Sequence, residues 1–239
     1  KLLKKLPFPT FLSWAAIDIL SSDHKLNFGR PGVYGNRASN LILQNSDLII
    51  AIGNRMSISM IGYVHDEFAR KAKLVQVDVD KSEIKKFKNK INLGINLDAK
   101  IFLSTFIKKS NSNIKEKNLK NWLQFCKKTL NKYPHIEKKA HKDNNGFINS
   151  YKFIDRLSTK LRTNECIVTD MGTALLSGHQ VIKLKKNQSM MTSTGLGEMG
   201  FGLPGAIGAS FGRNKGEVIC LNCDGGMMLN LQELQTIDH

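Results

Sequence analysis

Leu48-Ile49-Ile50-Ala51-Ile52 is an unbroken apolar run that stops at Gly53. A run this short, without polar alternation, fits a strand covered on both faces. Leu74 to Asp80 reads as a second strand, with Val75, Val77 and Val79 on one face. Helical stretches follow. Ser82-Glu83-Ile84 can open one helix, and Asp98 suits the N-cap of another that carries Ile101, Phe102, Phe106 and Ile107 at helical spacing. Parallel strands need long crossovers, so strands separated by helices imply a parallel sheet with helices packed on its faces.

The same alternation restarts later in the chain. We expect an α/β protein of two doubly wound parallel-sheet domains, residues 1–109 and 147–239, joined by a lysine-rich helix and linker, residues 110–146. Within the joining segment Leu119, Trp122, Leu123, Cys126 and Leu130 fall three and four apart, the pattern of an amphipathic helix. Pro134 ends that helix, and 135–146 is polar. Beyond it we expect a helix carrying Phe153, Ile154, Leu157 and Leu161, then a strand at Cys166-Ile167-Val168-Thr169. A glycine-rich stretch, a strand from Val218 to Leu221 and a helix beginning near Leu229 complete the pattern.

Composition narrows the function classes. No apolar run approaches the ~20 residues that cross a bilayer. Lys1-Leu2-Leu3-Lys4-Lys5-Leu6-Pro7 is too soon broken by proline for a signal peptide. A cytoplasmic protein with no membrane partner is expected. The net charge is +16, but the excess is densest between Lys108 and Lys142, where no aromatic residue is interleaved for base stacking. Lysines spread over solvated faces are the preferred reading, and nucleic acid is not an expected partner. Cys220-Leu221-Asn222-Cys223 has C-x-x-C spacing, yet no second ligand pair accompanies it, so the cysteines are read as structural.

Two elements carry chemistry. Gly195-Leu196-Gly197-Glu198-Met199-Gly200-Phe201-Gly202-Leu203-Pro204 repeats glycine every second or third place before a proline suited to a helix start. Glycine there permits positive φ or close approach of backbone to a ligand. The second element, Val218 to Met228, sets Asp224-Gly225-Gly226 at the end of an apolar strand, where open α/β sheets bind ligands. Asp224 can hold a hard cation, and glycine amides beside it can donate to phosphate. Taken alone, the glycine-rich stretch is weak evidence, the Asp-Gly-Gly segment is better read as a plain turn that needs no ligand, and Met199 is equally an ordinary core methionine.

Together and in this order, they resemble the diphosphate-binding domain of thiamine diphosphate enzymes, most of all acetolactate synthases. Met228-Leu229-Asn230-Leu231-Gln232-Glu233-Leu234 resembles the helix after that family's Gly-Asp-Gly motif, and Val168-Thr169-Asp170-Met171-Gly172 its strand and first phosphate-side loop. Gly29 to Asn40, Asp47 to Arg55 and Ala72 to Ile84 resemble its Rossmann-like central domain. The resemblance implies Mg²⁺ on Asp224, with diphosphate contacts from the Gly225 and Gly226 amides and from Gly172 and Thr173 opposite. It implies a carbonyl contact from Gly197 to the aminopyrimidine, with Gly195 in the same loop, and Met199 as the apolar wedge under the bent cofactor. It further implies decarboxylation and carboligation of a 2-oxo acid such as pyruvate, by a homodimer or homotetramer. A related decarboxylase or lyase, or a non-catalytic cofactor- or nucleotide-binding module, has the same outline.

The departures are specific. Cys223 stands where the family has glycine, and its Cβ is expected to crowd the turn. The family's second metal ligand would lie past His239, and the glutamate that activates the pyrimidine belongs to a separate domain. The chain is therefore expected to be a fragment, inactive alone, with no catalytic residue assigned. Gly53-Asn54-Arg55-Met56 resembles an FAD-contacting loop, but Ser57-Ile58-Ser59 lacks the charged continuation. Arg55 is accordingly read as a solvated strand-end arginine and FAD as doubtful.

Overall fold

α1 (Arg37–Gln44) leads into β1 (Leu48–Ile52), the first apolar run of the sequence. The computed structural model describes residues 7–87, 90–110 and 116–238. These divide into two compact units, one of Lys1–Ser13 and Phe28–Pro134, the other of Trp14–Asn27 and His135–His239.

In the first unit β1 is followed by α2 (Ile58–Ile61), β2 (Lys73–Asp78), α3 (Lys81–Lys86), β3 (Leu93–Asn96), α4 (Ala99–Ser110) and α5 (Glu116–Lys132). The sheet order is β1-β2-β3, all parallel. Leu43, Met56, Ile61, Phe68, Leu74 and Phe87 form its core, with Ile49 and Ala51 of β1 packed against them. β2 stops at Asp78 rather than Asp80, leaving Val79 exposed. Asp78 Oδ1 accepts from Asp80 N at 3.0 Å, which turns the chain, and Asp80 Oδ1 then caps α3 by accepting from Ser82 N at 2.7 Å. Asp98 Oδ1 accepts from Lys100 N and Ile101 N at the start of α4, the capping role its position suggested.

α5 does not stand apart as part of a joining segment. Its Cys126 is buried with Ile42 of α1 and Phe28, and Trp122, Leu123 and Leu130 pack around them. Burial pushes the Cys126 thiol up to about 12, which fits a packed, unreactive cysteine. Lys120, Lys127 and Lys128 occupy the opposite, solvated face. The apolar stripe thus assigns this helix to the first unit, while 135–146 belongs to the second.

The second unit holds α6 (Ser150–Lys160), β4 (Cys166–Thr169), α7 (Thr173–Val181), β5 (Ser189–Met191), α8 (Gly202–Gly212), β6 (Val218–Leu221), α9 (Asp224–Leu229) and α10 (Leu234–Asp238). Its parallel sheet runs β5-β4-β6, with Ile167 opposite both Met190 and Ile219. One face of β4 packs with Ile17, Ile154, Leu161, Val181, Ile182 and Leu184. On the other, Cys166 and Val168 meet Ala206 of α8, so the central strand is covered on both sides. Each such aliphatic side chain contributes about 1.5–3 kcal/mol when fully buried. One expectation is corrected: Phe153 of α6 is exposed, and Tyr151 packs on the core beside the expected Ile154, Leu157 and Leu161. α9, which the sequence pattern did not announce, starts at Asp224 directly after the strand-end turn, and the helix expected near Leu229 follows it as a 3-10 turn at Leu231–Glu233 that runs into α10. Among the described residues no helix is long and apolar enough to cross a membrane.

Candidate functional site

The order β5-β4-β6 creates a switch point. The chain leaves β4 through α7 to reach β5 on one side, then leaves β5 through α8 to reach β6 on the other. Connections departing in opposite directions leave a crevice outside the carboxyl ends of β4 and β6. Thr169 pairs with Leu221, so the next residues of both strands emerge side by side, and Asp170 N donates to Leu221 O at 2.9 Å.

From β4 the chain passes Asp170 and Met171 to Gly172, whose φ of 86° lies in the left-handed region that favours glycine, and α7 begins at Thr173. From β6 it passes Asn222 and Cys223 to Asp224. Cys223 is extended, φ −96° and ψ 160°, a conformation any residue adopts. A Cβ there therefore puts no strain on the backbone. The Cys223 Sγ lies at the start of α7, accepting from Ala174 N at 3.4 Å. Cys220 lies on the other side, packed with Val168 and Ala206 beneath α8, where burial and then the Asp170 charge hold its thiol above the ordinary value.

The glycine-rich loop closes over this edge. Gly197 and Gly200 both have positive φ, 71° and 91°. A Cβ on Gly197 would come within 3.1 Å of Met171 Cε, and one on Gly225 within 2.9 Å of Met199 Cε. Met199 is 55% exposed, which removes the reading of it as a core methionine. Gly226 is buried against Asp170, and any Cβ there would overlap the Asp170 carboxylate outright. The Asp224 side chain is solvent-exposed, with Oδ1 accepting from Gly225 N at 2.8 Å. The structure therefore brings Gly172, Thr173, Gly197, Met199, Asp224, Gly225 and Gly226 to one sheet edge. At Gly195, in the same loop as Gly197, an added Cβ would meet nothing within 4 Å.

Two residues at this edge escaped the sequence reading. Asp170, 1% exposed, accepts from Gly200 N at 3.0 Å and Gly202 N at 3.3 Å. Asn230 Nδ2 donates to Gly200 O at 2.7 Å. Asp170 had a signal, a carboxylate directly after an apolar strand, the same one that singled out Asp224. Asn230 had none. In the first unit, Arg55 Nε donates to Glu83 at 3.1 Å, and Lys86 Nζ also donates to Glu83. Those hydrogen bonds, that from Lys86 foremost, hold the Glu83 carboxyl below its ordinary value.

These residues fit a diphosphate held through a divalent cation. Asp224 presents a hard oxygen donor to solvent, and the Cβ-free backbone of Gly172, Gly225 and Gly226 surrounds it on both strand ends. An α/β fold with such an edge is the class in which phosphorylated cofactors bind at a switch point. The central-domain model of thiamine pyrophosphate enzymes matches residues 1–106, and their C-terminal TPP-binding-domain model matches 170–238. The chain belongs to the thiamine pyrophosphate enzymes. It is 31% identical to the acetolactate synthase isozyme 1 large subunit of Escherichia coli K12, over 99% of this chain and 40% of that protein. It is 33% identical to a probable acetolactate synthase large subunit of Methanococcus aeolicus, over 99% of this chain and 41% of that one. With acetolactate synthase 1 of Nicotiana tabacum it shares 32% identity over 89% of its length and 31% of the relative's. The chain thus spans about 40% of the length of the first two relatives.

Proposed function

We propose that this chain supplies the diphosphate- and metal-holding edge of a thiamine diphosphate- and Mg²⁺-dependent enzyme of the acetolactate synthase type, acting on 2-oxo acids. The observation that carries the reading is the convergence of three loops, after β4, after β6 and before α8, on one switch point beside an exposed carboxylate. Asp224 ligates Mg²⁺ in this reading, and the Gly225 and Gly226 amides face the diphosphate. Gly172 and Thr173 flank it from the start of α7. Gly197 offers its carbonyl to the aminopyrimidine, while Met199, resting beside Gly225, props the cofactor in its bent shape. Thiamine diphosphate, when bound, supplies the electron sink that decarboxylation of a 2-oxo acid requires. The chain's own part is to hold that group, orient it and keep its surroundings apolar.

A homodimer or homotetramer and a cytoplasmic setting belong to the same proposal. Leu196, Met199, Met228 and Leu229 leave apolar surface exposed around the edge, as an assembly interface would. Titration calorimetry on the complete protein tests the site. Thiamine diphosphate should bind only with Mg²⁺, and Asp224→Ala should weaken binding about 100-fold or more with the fold intact. That loss corresponds to nearly 3 kcal/mol, the scale of a lost charged contact. Equal binding by the two proteins, or binding indifferent to Mg²⁺, would rule out the assigned metal role.

A further inference from the structure

Asp170 is a carboxylate buried to 1% exposure, and none of the ion pairs among the described residues includes it. A buried carboxylate needs hydrogen-bond donors to replace its lost hydration. Here they come from the Gly200 and Gly202 amides, both in the glycine-rich loop. The carbonyl of Gly200 is held separately by Asn230 Nδ2, at the end of α9. One residue, Gly200, is therefore fastened from two directions, by its N–H to the end of β4 and by its C=O to the far side of the Asp224 turn. Gly200 has the φ of 91° that this double attachment needs, and a Cβ on it would press into Asn230 and Leu229. The residue before it is Met199, and the loop's other assigned contact, Gly197, lies three positions back.

We infer that Asp170 and Asn230 are positioning residues that pin Gly200 and so hold Met199 and Gly197 at a fixed place over the Gly225 turn. The inference rests on the reading of this edge as a thiamine diphosphate site. Neither residue is assigned a contact with the cofactor; both act through the backbone of Gly200. Their side-chain hydrogen bonds reach the loop facing the thiamine rings and none reaches Asp224: the Asp170 carboxylate accepts from Gly200 N and Gly202 N, and Asn230 Nδ2 donates to Gly200 O.

The test compares two ligands on the complete protein with Mg²⁺, thiamine diphosphate and inorganic pyrophosphate. Asp170→Ala and Asn230→Ala should each bind thiamine diphosphate at least tenfold more weakly, while pyrophosphate binding stays within twofold of the parent. Asp170→Asn, which keeps the Oδ1 acceptor, should recover most of the loss. A purely structural role would lower both affinities together, and that outcome, or an unchanged thiamine diphosphate affinity in both alanine variants, overturns the inference. Hydrogen exchange read by mass spectrometry on peptides covering 193–203 separates this from the cofactor reading. Asp170→Ala should speed exchange there without any ligand, and unchanged exchange also overturns the pin. Accelerated exchange in Asp170→Ala, alongside a parent protein that binds neither ligand, would leave the pin standing as loop anchorage and sink the cofactor reading alone.

Discussion

The two units each hold three parallel strands, but only one of them makes a crevice. In the first, the order β1-β2-β3 follows the chain, so both connections step in one direction. In the second, β5-β4-β6 reverses around its first strand. The glycines at the strand ends reflect this difference. Gly53, after β1, has positive φ and open space around it, so it answers only a backbone need. Gly226, after β6, is pressed against the Asp170 carboxylate and cannot hold a side chain of any kind. The charged groups divide in the same way. Arg55, Lys86 and Glu83 satisfy one another at the surface of the first unit, whereas Asp170 is buried and spends its acceptors on a loop. Strand content alone, then, does not make a site; strand order and close packing at the switch point do.

The sharpest way to break this contrast is Gly226→Ala. The added methyl has to displace a buried carboxylate, and we expect a loss of about 3 kcal/mol of stability, the upper end for overpacking, measured by urea denaturation. A change under about 1 kcal/mol would show that the edge is loosely packed. Gly208→Ala is the opposing case, since Gly208 lies inside α8 with nothing within 4 Å of an added Cβ. There the substitution should stabilise by about 0.5–1 kcal/mol through helix propensity alone.

The smallest effect belongs to the first unit. Glu83→Gln removes two exposed ion pairs and should cost about 0.5 kcal/mol at neutral pH. The Glu83 carboxyl is held below its ordinary value in the folded protein. Its contribution is therefore complete above the unfolded value of about 4.3 and disappears as pH falls through the folded one. Stability profiles of parent and variant should converge in acid, and thiamine diphosphate binding should not change at any pH. A binding defect in Glu83→Gln would mean that the surface of the first unit is coupled to the site.

Sequence made the apolar strands legible and little else about the sheets. β1, β2, β4 and β6 show as apolar runs, although only β4 is buried at every residue: β1 and β6 are half-covered, with Leu48 exposed, and β2 is mixed. β3 is Leu93-Gly94-Ile95-Asn96, mostly exposed and interrupted by glycine, and β5 is three residues long, so neither stands out by pattern. The site was legible where glycine spacing carried it, at Gly197, Gly225 and Gly226. Asp170 and Asn230 were not assigned, because the value of a carboxylate or an amide depends on which backbone groups the fold delivers to it. The backbone at Cys223 was illegible for a related reason: residue identity does not reveal φ, and the chain there is extended.

A crystal structure of the complete protein grown with Mg²⁺ and thiamine diphosphate tests the central claim most directly. The account requires the diphosphate between the loops that follow β4 and β6, a metal ion on the Asp224 carboxylate, and Met199 against the cofactor's concave side. A cofactor bound elsewhere, or a metal on that edge without Asp224 among its ligands, would contradict it.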